Sequence, residues 1–227
     1  MKDSVRAYWL EFNNPLEGRV NYMYLDVKGL VSTGVGNLID ATRAPLTAPS
    51  DEERSASHTI TEQLAWLDSD GSSATSDVVD AAWDTVKARL DLAPHGGGAF
   101  RGLTTLYLTD DEIDRVVFDK LDGMESTLKG RTPFADFDDW SADAQLGLLS
   151  MAWAMGPAFN FPRFQGFVAA GDWASAADEC RFNPEVGTIV QRNDRDQQLF
   201  RNAGLVAAGG YDPEVLVFPG TDPAQAQ

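Results

Sequence analysis

Glu17, Asp26 and Ser32 are two carboxylates and a hydroxyl at spacings that suit acid–base chemistry, within the stretch EGRVNYMYLDVKGLVSTGVGN from Glu17 to Asn37. Gly18 follows the first acid, Gly29 comes soon after the second, and Gly34-Val35-Gly36 closes the run. Apolar and polar positions alternate around Tyr22, Tyr24 and Leu30, with glycines at the bends, which predicts a short β-hairpin or meander. Glu17 precedes it at the expected end of a helix. The two carboxylates therefore fall on different elements and face each other across a turn rather than along one helix face. A pair so placed suits proton transfer to and from a bond held between them.

The elements that must position this stretch follow from hydrophobic spacing. Val5, Trp9, Leu10 and Phe12 predict a first helix over 3–16, disturbed near its end by Asn13, Asn14 and Pro15. Residues 41–59, rich in Pro, Ser and charge, are expected as an exposed loop, and 59–67 as a short helix with Leu64 and Trp66 inward. Ser76 is a candidate N-cap for a helix over 77–92 carrying Val78, Val79, Ala82, Trp83, Val86 and Leu90. His95-Gly96-Gly97-Gly98 is expected as a flexible connector, because no strand-then-helix context makes it an anion cradle.

Thr109 and Glu112 form a capping-box pattern ahead of the stripe Ile113, Val116, Val117, Phe118 and Leu121. Ser141 opens a helix in which Leu146, Leu149, Met151, Ala152, Trp153 and Met155 are apolar nearly all round, the mark of a buried helix. Two shorter helices over 159–170 and 172–181 are separated by Gly171, with Asp172 as N-cap. A last helix carries RNDRDQQLF from Arg192 to Phe200. The tail from Ala208, with Gly209, Gly210, Pro213, Pro219 and Pro223, is expected to be surface-bound or disordered.

In this spacing the sequence resembles the phage-type lysozymes, or endolysin muramidases. Their motif is Glu, eight residues, Asp, five residues, Thr, then Gly-x-Gly. Glu17, Asp26, Gly34 and Gly36 keep it, and Ser32 stands at the threonine, retaining the hydroxyl and losing the methyl. The resemblance extends to the Thr109–Glu112 helix start, the core helix ending in Met155-Gly156, the run GDWASAADECRF, and the arginines ahead of Leu199-Phe200, with Asp196 at a position usually Glu. It covers 3–37 and roughly 105–205.

The resemblance implies an α+β, mainly α, lysozyme-like fold with a small β-hairpin lobe and a larger helical lobe. It implies a catalytic domain over 1–207, with 38–104 as an insertion and 208–227 as a C-terminal tail. It also implies a peptidoglycan muramidase that cuts the N-acetylmuramic acid–N-acetylglucosamine bond with inversion. Glu17 would be the general acid, and Asp26 and Ser32 would hold the attacking water. Arg192, whose guanidinium approaches the acid in the family, and Gly36 would bind substrate or tune the acid. The alternative is a peptidoglycan-binding or structural protein that keeps the fold without hydrolysis; the serine, the insertion and the acidic middle speak for it.

Composition bounds the rest. The 227-residue chain is long enough for a sizeable core and carries a net charge of −17. The charge is uneven: residues 1–37 balance, while 38–179 hold ten basic against 25 acidic residues. Nothing could neutralise a phosphate backbone, so no nucleic acid is expected as a partner. No apolar run approaches ~18 residues, so no membrane span is expected. The first residues lack a signal-peptide pattern, so the expectation is synthesis in the cytoplasm and release or delivery to the cell wall by other proteins.

The single cysteine, Cys180, excludes an internal disulfide and is expected half-buried on a helix. His58 and His95 are read as lone loop residues without acids at ligand spacing, so neither metal nor cofactor is expected. No Gly-x-Ser-x-Gly is present and Cys180 has no evident base, so nucleophilic hydrolysis lacks support. The favoured oligomeric state is a monomer.

Overall fold

The computed structural model describes residues 1–42, 48–183 and 188–226. These are mainly helical, with one small antiparallel sheet, which is the α+β, mainly α class expected. In chain order the elements are α1 (Asp3–Glu17), β1 (Val20–Leu25), β2 (Val31–Gly34), β3 (Asn37–Leu38), α2 (Asp51–Thr61), α3 (Ser76–Lys87), α4 (Asp110–Lys129), α5 (Ala142–Met155), α6 (Pro162–Ala169), α7 (Trp173–Glu179) and α8 (Thr188–Gly209). The chain forms two compact units, Glu17–Phe118 and Met1–Leu16 with Asp119–Gln227.

In the unit Glu17–Phe118 the strands pair in the order β1-β2-β3, with Tyr24 opposite Ser32 and Leu25 opposite Val31. The predicted meander is present. Its buried side, including Met23, Leu25, Val31 and Ile39, shares this unit's core with Trp66, Val79, Trp83 and Phe100. Burying such side chains stabilises by roughly 1.5–3 kcal/mol each.

Residues beyond the meander complete that core. Lys87, 1% exposed at the end of α3, donates to Asp40 Oδ2 (2.7 Å), Thr42 Oγ1 (2.8 Å) and the Gly29 carbonyl (3.3 Å). Asp40 Oδ2 also accepts from Val31 N, and Oδ1 from Thr42 N. The Trp83 indole donates to the Ile39 carbonyl at 2.8 Å.

Several elements differ from the sequence reading, each for a local reason. Ser50 and Glu53 form a complete capping box that starts α2 within the stretch expected as a loop, so the helix runs over 51–61 rather than 59–67. Residues 43–47 of that stretch lie outside the described residues. α3 starts at Ser76 itself and ends at Lys87, and its Val78 is exposed.

The expected connector is ordered as 3-10 turns over Leu90–His95 and Gly97–Phe100. A Cβ on Gly97 would stand 3.3 Å from the Tyr24 ring, so the glycine permits this close approach. Only half of the expected box at α4 forms. Thr109 Oγ1 accepts from Glu112 N, but the Glu112 carboxylate turns to Ala65 N and Arg115.

In the other unit α5 is buried on all sides from Ala142 to Trp153, as its composition predicts. It packs on α8, where the Phe200 ring lies against Gly147. α1 continues through Pro15 to Glu17. Cys180 is fully buried just after α7 rather than half-buried on a helix, and burial pushes its thiol up to about 12. The described part of the tail is held at the surface of this unit: Asp143, in the first turn of α5, accepts from Val217 N and Phe218 N, and Asn202 also donates to it. Phe218 packs edge-on against Phe12 and Tyr8.

Lys87→Met leaves the Asp40 carboxylate buried without its counter-charge. It should lower stability by about 3–5 kcal/mol, read from urea denaturation. Adding Asp40→Asn should restore part of that loss, because the uncompensated charge is then gone.

Candidate functional site

Glu17 is the last residue of α1, exposed, and Gly18 (φ +76°) turns the chain from the helix into β1. Gly36, between β2 and β3, adopts φ +67°, a left-handed conformation that favours glycine. Glu17 Oε2 lies 3.8 Å from where a Cβ on Gly36 would stand. The bend between the short strands therefore brings the motif's last glycine to its first acid.

Asp26 follows the far end of β1. Its N–H and carbonyl close the turn with Leu30 and Gly29, and its Oδ1 accepts from Lys28 N (2.8 Å) and Leu30 N (3.0 Å). This side-chain cap fixes the carboxylate's orientation. Oδ2 takes no hydrogen bond from any described residue.

Ser32 lies in β2 opposite Tyr24, and such cross-strand partners project to one face. It is 4% exposed, and its hydroxyl has no hydrogen-bond partner among the described residues. Between the two acids stands Tyr24. Burial raises its phenol pKa first, and the negative charges of Asp26 and Glu17 raise it further. Both carboxylates thus act on one hydroxyl. Glu17, Asp26, Ser32 and Gly36 belong to the same compact unit.

Arg192 belongs to the other unit, on α8. It is 2% exposed, and its guanidinium donates to Ser150 Oγ (3.0 Å), the Ser150 carbonyl (3.3 Å) and Asn13 Oδ1 (3.2 Å). Asp196, one turn further along α8, is completely buried. Burial pushes its carboxyl up to about 7, against the opposing pull of the nearby Ser150 hydroxyl and the Arg192 and Arg195 guanidiniums.

Three further residues on or beside β1 carry no catalytic signature in the sequence. Tyr22 and Tyr24 look there like ordinary strand aromatics, and Arg101 falls in the stretch 38–104 expected as an insertion. In the fold Arg101 stands over the Tyr22 ring, 5.9 Å from its centroid, at the limit for a cation–π contact.

His58 corrects another expectation. It lies on α2, with Nδ1 3.2 Å from Asp80 and Nε2 3.3 Å from Asp84, rather than on a loop without acids. Among the described residues, no group of three His, Cys, Asp or Glu side chains could hold a metal ion. No helix there is long and apolar enough to cross a membrane. No protein-family model matches the chain, and no curated protein sequence matches it significantly.

The raised Asp196 carboxyl has a definite sign. The fold favours its protonated form, so this contribution is complete below the unfolded value near 4 and is lost as pH rises to about 7. It amounts to as much as about 4 kcal/mol. Urea midpoints measured from pH 4 to 8 should fall with pH in the wild type, and this part of the slope should vanish in Asp196→Asn.

Proposed function

We propose that this protein is a glycoside hydrolase of the phage-type lysozyme kind, cutting the muramic acid–glucosamine bonds of peptidoglycan. The observation that carries the reading is the placement of Glu17, at the end of α1, and Asp26, just after β1, on either side of one short strand, with the Tyr24 phenol between them raised by both charges. A hydrolytic glycosidase of this type needs such a pair on either side of the scissile bond.

Glu17 gives its proton to the leaving glycosidic oxygen as the bond to the anomeric carbon breaks. A water held by Asp26 Oδ2 and the Ser32 hydroxyl attacks that carbon from the opposite face and passes its proton to Asp26, which yields the inverted product. The roles divide according to hydrogen bonding. Asp26 is oriented by Lys28 N and Leu30 N and keeps one oxygen open, while the serine hydroxyl is held on the sheet with nothing else to bind. The proposed machinery includes Gly36 as the close neighbour of the acid.

A second reading is a peptidoglycan-binding protein without hydrolysis. One specific feature favours it: Asp26 already performs a complete structural task as the cap of its turn.

Release of soluble fragments from purified peptidoglycan separates the two readings. The wild type should release fragments with new reducing ends. Glu17→Gln should lose activity by about 10²–10⁴-fold while remaining folded. Fragments without new reducing ends would point to transfer onto the sugar's own hydroxyl instead of water. A folded wild type that binds the polymer and releases nothing would establish the binding reading.

A further inference from the structure

The chain's large negative charge poses a problem for any anionic polymer approaching this site, because the two acids add to the repulsion. The distribution of cations within the unit Glu17–Phe118 bears on this. Arg19, Arg54, Lys87, Arg89 and Arg115 each pair with a carboxylate. Arg101 and the Lys28 ammonium neither pair with a carboxylate nor donate a hydrogen bond to any described residue. Lys28 is exposed in the turn capped by Asp26.

Arg101 is exposed yet located. It follows the 3-10 turn Gly97–Phe100, whose Phe100 is 1% exposed in the core and whose Gly97 backs directly onto the Tyr24 ring. The Tyr22 ring lies under its guanidinium. Tyr22 is itself near Tyr24, since its ionised form would raise the Tyr24 phenol further. A guanidinium held over a ring at this distance still has its N–H edge available, and that edge matches the two oxygens of a carboxylate.

We propose that Arg101 recognises a carboxylate branching from a muramoyl residue of the bound strand, through its lactyl arm or peptide stem, and so makes the site selective for charged over neutral glycan. Tyr22 and Tyr24 supply the apolar face beneath the sugar, and Arg101 reads the branch beside it. This selectivity rests on the peptidoglycan reading above. It assigns a specificity role to a segment outside the region of family resemblance.

Equilibrium binding tests it without requiring turnover. The probes are soluble peptidoglycan strands, native and with their carboxylates converted to amides. The proteins are the wild type, Arg101→Gln, and Arg89→Gln as a control that removes the same charge from an exposed pair with Asp91. All three carry Glu17→Gln so that the strands stay intact.

Arg101→Gln should weaken binding of native strands by about tenfold, the size of one charge-assisted contact, and leave binding of amidated strands unchanged. Arg89→Gln should stay within about twofold for both. Equal losses in the two variants, an equal loss for native and amidated strands, or a parent protein that binds neither or does not distinguish them would overturn the proposal. If the protein with Glu17 intact releases no fragments while its parent still prefers native strands, the hydrolase reading falls and the carboxylate selectivity stands.

Discussion

The unit that carries the two acids depends on a buried ion pair. Lys87 and Asp40 are both withdrawn from solvent, and removing charges of this size from water costs several kcal/mol each before any attraction is counted. The pair is sustainable because each member has further partners. The ammonium reaches Thr42 and the Gly29 carbonyl, and the carboxylate takes the Val31 and Thr42 amides. Those partners lie at the turn after β1, at the first residue of β2 and just beyond β3. One lysine at the end of α3 thereby secures the meander where it would otherwise be free to slip in register.

That anchoring explains how so small a sheet can hold chemical groups in fixed positions. Three strands of six, four and two residues form too little ladder to be stable alone. The sheet gains its rigidity from α3, from the Trp83 indole on Ile39, and from the 3-10 turn backed against Tyr24. The turn that fixes Asp26 includes Gly29, whose carbonyl Lys87 also engages. The carboxylate's orientation and the buried pair are thus parts of one hydrogen-bonded system. Groups held in this way are preorganised by the fold itself.

The parts of the fold visible in the sequence were those set by local rules. Alternation around Tyr22 and Tyr24 with glycines at the bends predicts the meander. The wholly apolar run through Met151 predicts the buried helix. The Glu17–Asp26–Ser32 spacing singles out a candidate site whose members do share one compact unit. What could not be read depended on distant partners or on competition between caps. Lys87 falls inside the predicted helix over 77–92, and nothing near it in sequence announces Asp40, 47 residues away. Ser50 and Glu53 are hidden in a proline- and charge-rich run until the reciprocal bonds are seen. Gly96 to Gly98 look like a hinge by composition, and only the Tyr24 ring against Gly97 gives them an architectural purpose. The tail was expected at the surface or disordered because its glycines and prolines say nothing of Asp143.

The Asp143 clamp also sets an order of events during synthesis. The carboxylate lies in a helix whose sides are all buried, yet two of its three donors are amides at Val217 and Phe218, 74 and 75 residues later in the chain. Until those residues leave the ribosome, the first turn of α5 carries an anion without most of its intended partners. The unit that holds it is also discontinuous, because residues 1–16 must wait for 119 onward. The segment from Glu17 to Phe118 is contiguous and can complete its own contacts first. The connectivity therefore predicts assembly from the middle outward, with the acid-bearing unit completing its contacts before the helical unit gains its tail at Asp143.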